Sequence, residues 1–328
     1  MMAIRMTDSL TAARLAIVSG KGGVGKTTVA AALALAAARA GKRVLLIEVE
    51  QREGLAPLFG HAAIGYEEKA LAPNVTGLSV IPDEALVEYL YLFYGIRYVG
   101  RVLKGSKAIE FATNIAPGLR DILLIGKIKE AERRRAAGQY AYDLLVLDAP
   151  PTGRLPRFLE APRSIVELVR SGPIRQQAQG VLDMISDPKR TQVVLVTLPE
   201  DMPVRETAEA AETLGKMGVS LGPVVVNGAY PEVFPQDALA TVAAGAQDGL
   251  KDEADRAGLR LGGEAIEELA RVGGAHARRT LNQHDALEEL ARETSLPRVT
   301  LPYLWAPRIG KEEIGRLAEE LAAQRAIR

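Results

Sequence analysis

The sequence predicts an α/β fold in which a mostly parallel, doubly wound sheet is flanked by helices, and three observations carry that expectation. Five short apolar runs punctuate the chain: Leu15 to Ser19, Arg43 to Ile47, Leu144 to Leu147, Val193 to Thr197 and Pro223 to Val226. The first three are each followed by turn residues and a helical pattern, which is the rhythm of strands joined by crossover helices. Within the runs the hydrophobicity is continuous rather than alternating, as expected of strands covered by helices on both faces. A glycine-rich loop joins the first run directly to the first helical pattern.

Each element follows in order. The first helix is expected at Thr27 to Ala40. From about Pro82 to Gly138 the pattern changes to a long, mainly helical stretch without a clear strand, a candidate insertion. A second helical stretch covers Arg163 to Met184, and Gln236 to Thr294 reads as further helices. The chain closes with a short apolar segment, Val299 to Leu304, and an amphipathic helix, Lys311 to Ala323. The expected organisation is one domain over 1–328, with a helical subdomain inserted at 82–138 and contributed to by 163–185. A length of 328 residues accommodates that, domain number being only loosely tied to about 150 residues per domain.

Composition narrows the function classes. Lysine plus arginine (41) balances aspartate plus glutamate (41), so no global field favours a nucleic acid or an acidic membrane, and no nucleic-acid partner is expected. The chain has no cysteine, which removes disulfides and thiolate zinc sites; no zinc is expected. No stretch reaches the roughly 18 to 20 apolar residues of a membrane-spanning helix, so no integral membrane segment is expected. The segment MMAIRMTDSL lacks the apolar core of a secretion signal, and a cytoplasmic location is expected.

The loop reads Gly20-Lys21-Gly22-Gly23-Val24-Gly25-Lys26-Thr27-Thr28. It fits the phosphate-binding loop pattern and sits where the chemistry needs it, after a strand and before a helix. Glycines let backbone N–H groups turn toward phosphates, and the helix N-terminus adds a favourable partial charge. Lys26 is then expected to reach the β- and γ-phosphates, Thr27 to ligate Mg²⁺ and Thr28 to bond the α-phosphate.

Lys21, directly after the first glycine in KGGVGKT, resembles the signature of the deviant Walker A ATPases. That family includes the Min-type and Par-type positioning ATPases, the nitrogenase iron protein, and the arsenite-pump and tail-anchored-protein targeting ATPases. The resemblance implies ATP and Mg²⁺ as ligands and a dimer, formed with a second copy or a related subunit, in which Lys21 crosses to the partner's nucleotide. A cation brought in trans stabilises charge on the transferring phosphoryl oxygens; the alternative is a solvated loop lysine. In the family an aspartate after the second strand orients the attacking water. Glu50 stands in that place, one methylene longer, and rate is sensitive to displacements of roughly 1 Å.

Leu144-Leu145-Val146-Leu147-Asp148 is the Walker B arrangement, placing Asp148 to hold Mg²⁺, usually through its water. The following Ala149-Pro150-Pro151-Thr152-Gly153-Arg154 resembles the switch II segment of the arsenite-pump and targeting ATPases, with Pro151, Thr152 and Gly153 matching and Ala149, Pro150 and Arg154 departing. Leu198-Pro199-Glu200 and Arg205-Glu206-Thr207 resemble later elements of that family. The resemblance also assigns the adenine edge to Asn227, whose amide both donates and accepts, and the adenine-side loop to Pro302 and Tyr303. An asparagine without ligand contact is the alternative for Asn227.

Output is the open point, because fold does not settle function. Arsenite capture on cysteines is excluded for this chain. Five of its 15 aromatic residues fall at Tyr89, Tyr91, Phe93, Tyr94 and Tyr98. With Leu86, Leu90, Leu123, Leu124, Ile125, Ile128, Ile165, Leu168 and Val169 they are candidates to line a groove for a hydrophobic protein client, or to pack the subdomain. The expected function is therefore an ATP-hydrolysing dimeric switch that couples nucleotide state to a client. The alternative is a Min- or Par-type regulatory switch without a groove. Lys311 to Ala323, rich in glutamate, does not read as a membrane-binding tail.

Overall fold

The computed structural model describes residues 9–49, 53–94, 118–245 and 249–324, and only the backbone at 92–94 and 119. Strand β1 (Leu15–Gly20) leads through the glycine loop into α1 (Lys26–Arg39), and β2 (Val44–Val49) into the short helix α2 (Leu55–Leu58). An antiparallel edge pair follows, β3 (Lys69–Ala72) and β4 (Val75–Val80), then α3 (Pro82–Tyr94) and α4 (Leu119–Arg133). A small hairpin, β5 (Arg135–Ala136) and β6 (Gln139–Tyr140), precedes β7 (Leu144–Asp148), α5 (Leu155–Leu168), α6 (Pro173–Ser186) and β8 (Thr191–Thr197). The remainder is α7 (Asp201–Lys216), β9 (Val224–Ala229), α8 (Leu239–Ala243), α9 (Leu250–Arg256), α10 (Gly263–Glu293), β10 (Arg298–Pro302) and α11 (Lys311–Ala323).

The main sheet has eight strands in the order β10-β9-β8-β1-β7-β2-β4-β3. All neighbours are parallel except β3 on β4. The continuous apolar runs therefore occupy the interior of the sheet. Successive side chains point to opposite faces. Ala16, Val18, Val44, Leu46, Leu144, Val146, Val194 and Val196 pack on one face with the alanine-rich α1 and with Ile314, Leu317 and Leu321 of α11. Leu15, Ile17, Leu45, Ile47, Leu145, Leu147, Val193 and Leu195 pack on the other with α4, α6, α7 and the end of α10. This is the mixed α/β, doubly wound arrangement of a P-loop nucleotide-binding fold, as expected.

The structure adds elements that the apolar pattern did not suggest. In β3 and β4, Lys69 and Ala70 are exposed and Gly77 and Ser79 interrupt the apolar run, while Asn74 makes the turn with φ 60°. The stretch read as mainly helical, without a clear strand, to Gly138 ends in the hairpin β5–β6. The expected helix at 163–184 is two helices with Gly172 at φ 106° between them. Glu132, near the end of α4, is buried and takes Arg14 (3.3 Å) and Arg190 (2.8 Å), tying the helix to the start of β1 and of β8.

Candidate functional site

Gly20 closes β1, in register with Val196 of β8. A Cβ there would overlap the Val196 carbonyl oxygen and crowd Val24, so only glycine lets the chain leave the sheet at this point. Gly23 and Gly25 take φ 88° and 86°, left-handed values that suit glycine. A Cβ on Gly25 would also overlap the Asn227 amide nitrogen, whereas Gly22 and Gly23 face open space. The loop thus turns back over the start of α1 with its backbone exposed at the C-terminal edge of the sheet, the edge at which doubly wound folds bind ligands.

Inside this turn Lys26 is 6% exposed, and its ammonium donates to the Lys21 carbonyl at 2.9 Å. Thr27 donates its hydroxyl to Asp148 Oδ2 at 2.7 Å. Asp148 is 1% exposed and ends β7, next to β1. A threonine oxygen and a carboxylate on neighbouring elements make a set of hard donors suited to Mg²⁺, and an open cradle of N–H groups beside a buried lysine suits phosphates. The donors fit the ligands that the sequence implies.

The segment after Asp148 is fastened to the same place. The Ala149 N–H donates to Val18 O at 3.0 Å and the Thr152 N–H to Gly20 O at 3.1 Å, while Ser19 Oγ donates to Pro150 O at 2.7 Å. Lys21 reaches away from the loop to Glu206 of α7, at 2.6 Å. Asn227 lies within β9 and donates its amide to Val24 O at 3.0 Å, so in this structure it braces the loop. Pro302 ends β10. Tyr303 stacks on Tyr230 with ring centroids 4.8 Å apart and meets Trp305, 68% exposed, at 4.8 Å. The aromatic cluster, Tyr230 and Trp305 included, had no periodic signal in the sequence. Lys26, Thr27, Asp148 and Asn227 are brought together around the loop; Lys21 is turned toward Glu206; Glu50 lies outside the described residues.

A profile of the anion-transporting ATPase family matches residues 13–177 and 172–244. The chain belongs to that family. It is 39% identical over 327 residues to the ATPase BagA of Mycobacterium tuberculosis, covering 96% of this chain and 94% of that protein. It is 26% identical to an arsenical pump-driving ATPase of Escherichia coli, over 88% of this chain and 52% of that one. An arsenical pump-driving ATPase of Acidiphilium multivorum is 27% identical over 68% of this chain and 40% of its own length. Family membership and these names support an ATPase.

A cavity of about 690 Å³ opens between α3, α4 and α6 in this family member. Leu86, Tyr89, Leu90, Ile122, Leu123 and Ile174 line it, with Lys127, Lys129, Arg133 and Arg134 among its polar residues. Burial holds Lys129 below its ordinary range, with Arg133 and Arg190 adding to the effect. Of the other candidate wall residues, Leu124, Ile125 and Ile128 are core, Leu168 is exposed, and Tyr98 lies outside the described residues. Among the described residues no helix is long and apolar enough to cross a membrane.

Proposed function

We propose that this protein is an ATP-binding, ATP-hydrolysing dimeric switch that couples its nucleotide state to a hydrophobic client. The observation that carries the reading is the convergence of buried Lys26, the open glycine loop and the Thr27–Asp148 pair at one end of β1 and β7. Lys26 exchanges the Lys21 carbonyl for the β- and γ-phosphates, and the N–H groups of Gly22 to Thr28 orient them. Thr27 and Asp148 hold Mg²⁺, whose chemistry when bound is to neutralise charge on the β- and γ-oxygens. Glu50 orients the attacking water. Pro302 and Tyr303 flank the adenine and Asn227 reads its edge, which requires its amide to release Val24.

In the dimer, with a second copy or a related subunit, Lys21 leaves Glu206 and supplies a cation to the partner's nucleotide. The segment from Pro150 to Gly153, bonded to β1 and the loop, carries the change to α5 and the helical subdomain, which is an insertion at 82–138 within one domain. There the apolar lining of the cavity between α3, α4 and α6 suits an apolar helical segment, Lys127 and Arg134 being paired with Glu88, Glu130 and Glu68. A regulatory switch without a client groove is the second reading; the apolar lining of that cavity favours the first.

The test is binding and hydrolysis of ATP by the wild type and by Lys26→Ala and Asp148→Asn. Metal-dependent ATP turnover that both variants lose supports the site. Wild-type turnover in Lys26→Ala contradicts it. An apolar helical peptide carrying a photo-crosslinker is expected to label 86–128 in a nucleotide-dependent manner, and labelling that ignores nucleotide contradicts the coupling.

A further inference from the structure

We propose that Glu48 is a second carboxylate of the metal side of this site, acting on the divalent cation held with Thr27 and Asp148. The inference rests on the nucleotide reading above and on the placement of Glu48 in the fold. Glu48 and Asp148 are direct partners in the register of β2 and β7. Both lie on the α1 face, in line with Val44 and Leu46 and with Leu144 and Val146, so their side chains stand side by side below the start of α1. Strands are about 4.8 Å apart, which brings the two acids into one small volume.

Glu48 is 1% exposed. Its Oε2 accepts one bond, from the Leu55 N–H at 3.3 Å, while Oε1 is buried without a hydrogen-bond partner among the described residues. Gly54, beside Leu55, packs against Thr27, where an added Cβ would lie 3.2 Å from Cγ2. Register with Asp148 on one side, and the bond to Leu55 next to Gly54 on the other, thus set the Glu48 carboxyl among the neighbours of Thr27 and Asp148. A buried carboxylate is costly unless paired, hydrogen-bonded or placed against a cation, and two adjacent ones call for a hard cation with oxygen ligands or ordered water.

Bonding of Leu55 accounts for only one of the two oxygens. The other is available to the cation or to its water shell.

The test uses Mn²⁺ as the probe. Free Mn²⁺ is counted by electron paramagnetic resonance during titration of wild type, Glu48→Gln and Glu48→Asp in saturating ADP, and ADP binding is measured separately in EDTA. Glu48→Gln keeps an acceptor for Leu55 and loses the charge; its Mn²⁺ affinity is expected to fall roughly tenfold, as for other residues that support a metal site. Its ADP affinity without metal is expected to stay near wild type. Glu48→Asp keeps the charge and weakens the Leu55 bond, and is expected to hold Mn²⁺ better than Glu48→Gln. Unchanged Mn²⁺ affinity in Glu48→Gln, or the reverse order of the two variants, would overturn the proposal. Failure of the wild type to bind ADP at all would instead overturn the nucleotide reading.

Discussion

Gly20 has the least freedom of any residue in the site, because the backbone of β8 occupies the space a side chain would need. Gly20→Ala is expected to destabilise the fold by about 3 kcal/mol, the upper range for overpacking, measured as a shift of the urea midpoint. An unchanged midpoint would mean that β1 and β8 separate more easily than their register implies. Lys26 acts differently. Its ammonium is already buried and satisfied by the Lys21 carbonyl, so its removal is expected to cost little folding stability and much phosphate binding. A charge-assisted bond contributes about 1.5–3 kcal/mol, so Lys26→Ala should weaken ATP binding by up to about 100-fold in equilibrium titration. The placement of the glycine loop and of Asp148 at one end of β1 and β7 was legible because strand, loop and helix follow one another in a recognisable spacing. Glu48 was ambiguous, one of two acids at a strand exit that read equally well as ordinary surface charges, until the register placed it beside Asp148.

At the scale of elements, charged pairs fix the ends of strands and helices. Glu132 accepts both Arg14 and Arg190 while buried. Glu132→Ala leaves two arginines facing each other and is expected to cost about 3 kcal/mol, read by chemical denaturation; a loss near zero would show that water replaces the carboxylate. Asp143 joins the start of β7 to the start of β2 through Arg43, whose guanidinium and N–H bonds hold its carboxyl down at about 2. Because the folded value lies below the ordinary one of about 3.9, this contribution is present above pH 4 and disappears as pH falls toward 2. The melting temperature of Asp143→Asn is therefore expected to change less than that of the wild type between pH 4 and pH 2. Buried central strands were readable from their apolar runs. The pair β3–β4 was not, because the edge strand β3 carries the exposed Lys69 and Ala70, and Gly77 and Ser79 break the apolar run of the buried β4. Gly172 likewise divided one expected helix into α5 and α6.

For the whole molecule, Lys21 is the residue proposed to convert nucleotide binding into assembly. In the isolated chain it pairs with Glu206 at 2.6 Å, a partly exposed contact of the kind that contributes at most about 1 kcal/mol. That is weak enough to be exchanged for a phosphate across a dimer interface. Glu206→Gln is accordingly expected to favour the ATP-bound dimer modestly, seen as a lower dissociation constant in sedimentation. The most direct test is mass by light scattering with ADP and with ATP plus Mg²⁺, on wild type and on Lys21→Ala. A shift of the wild type toward dimer with ATP and Mg²⁺, absent in Lys21→Ala, is the result predicted. The same mass for both proteins under every condition would contradict it.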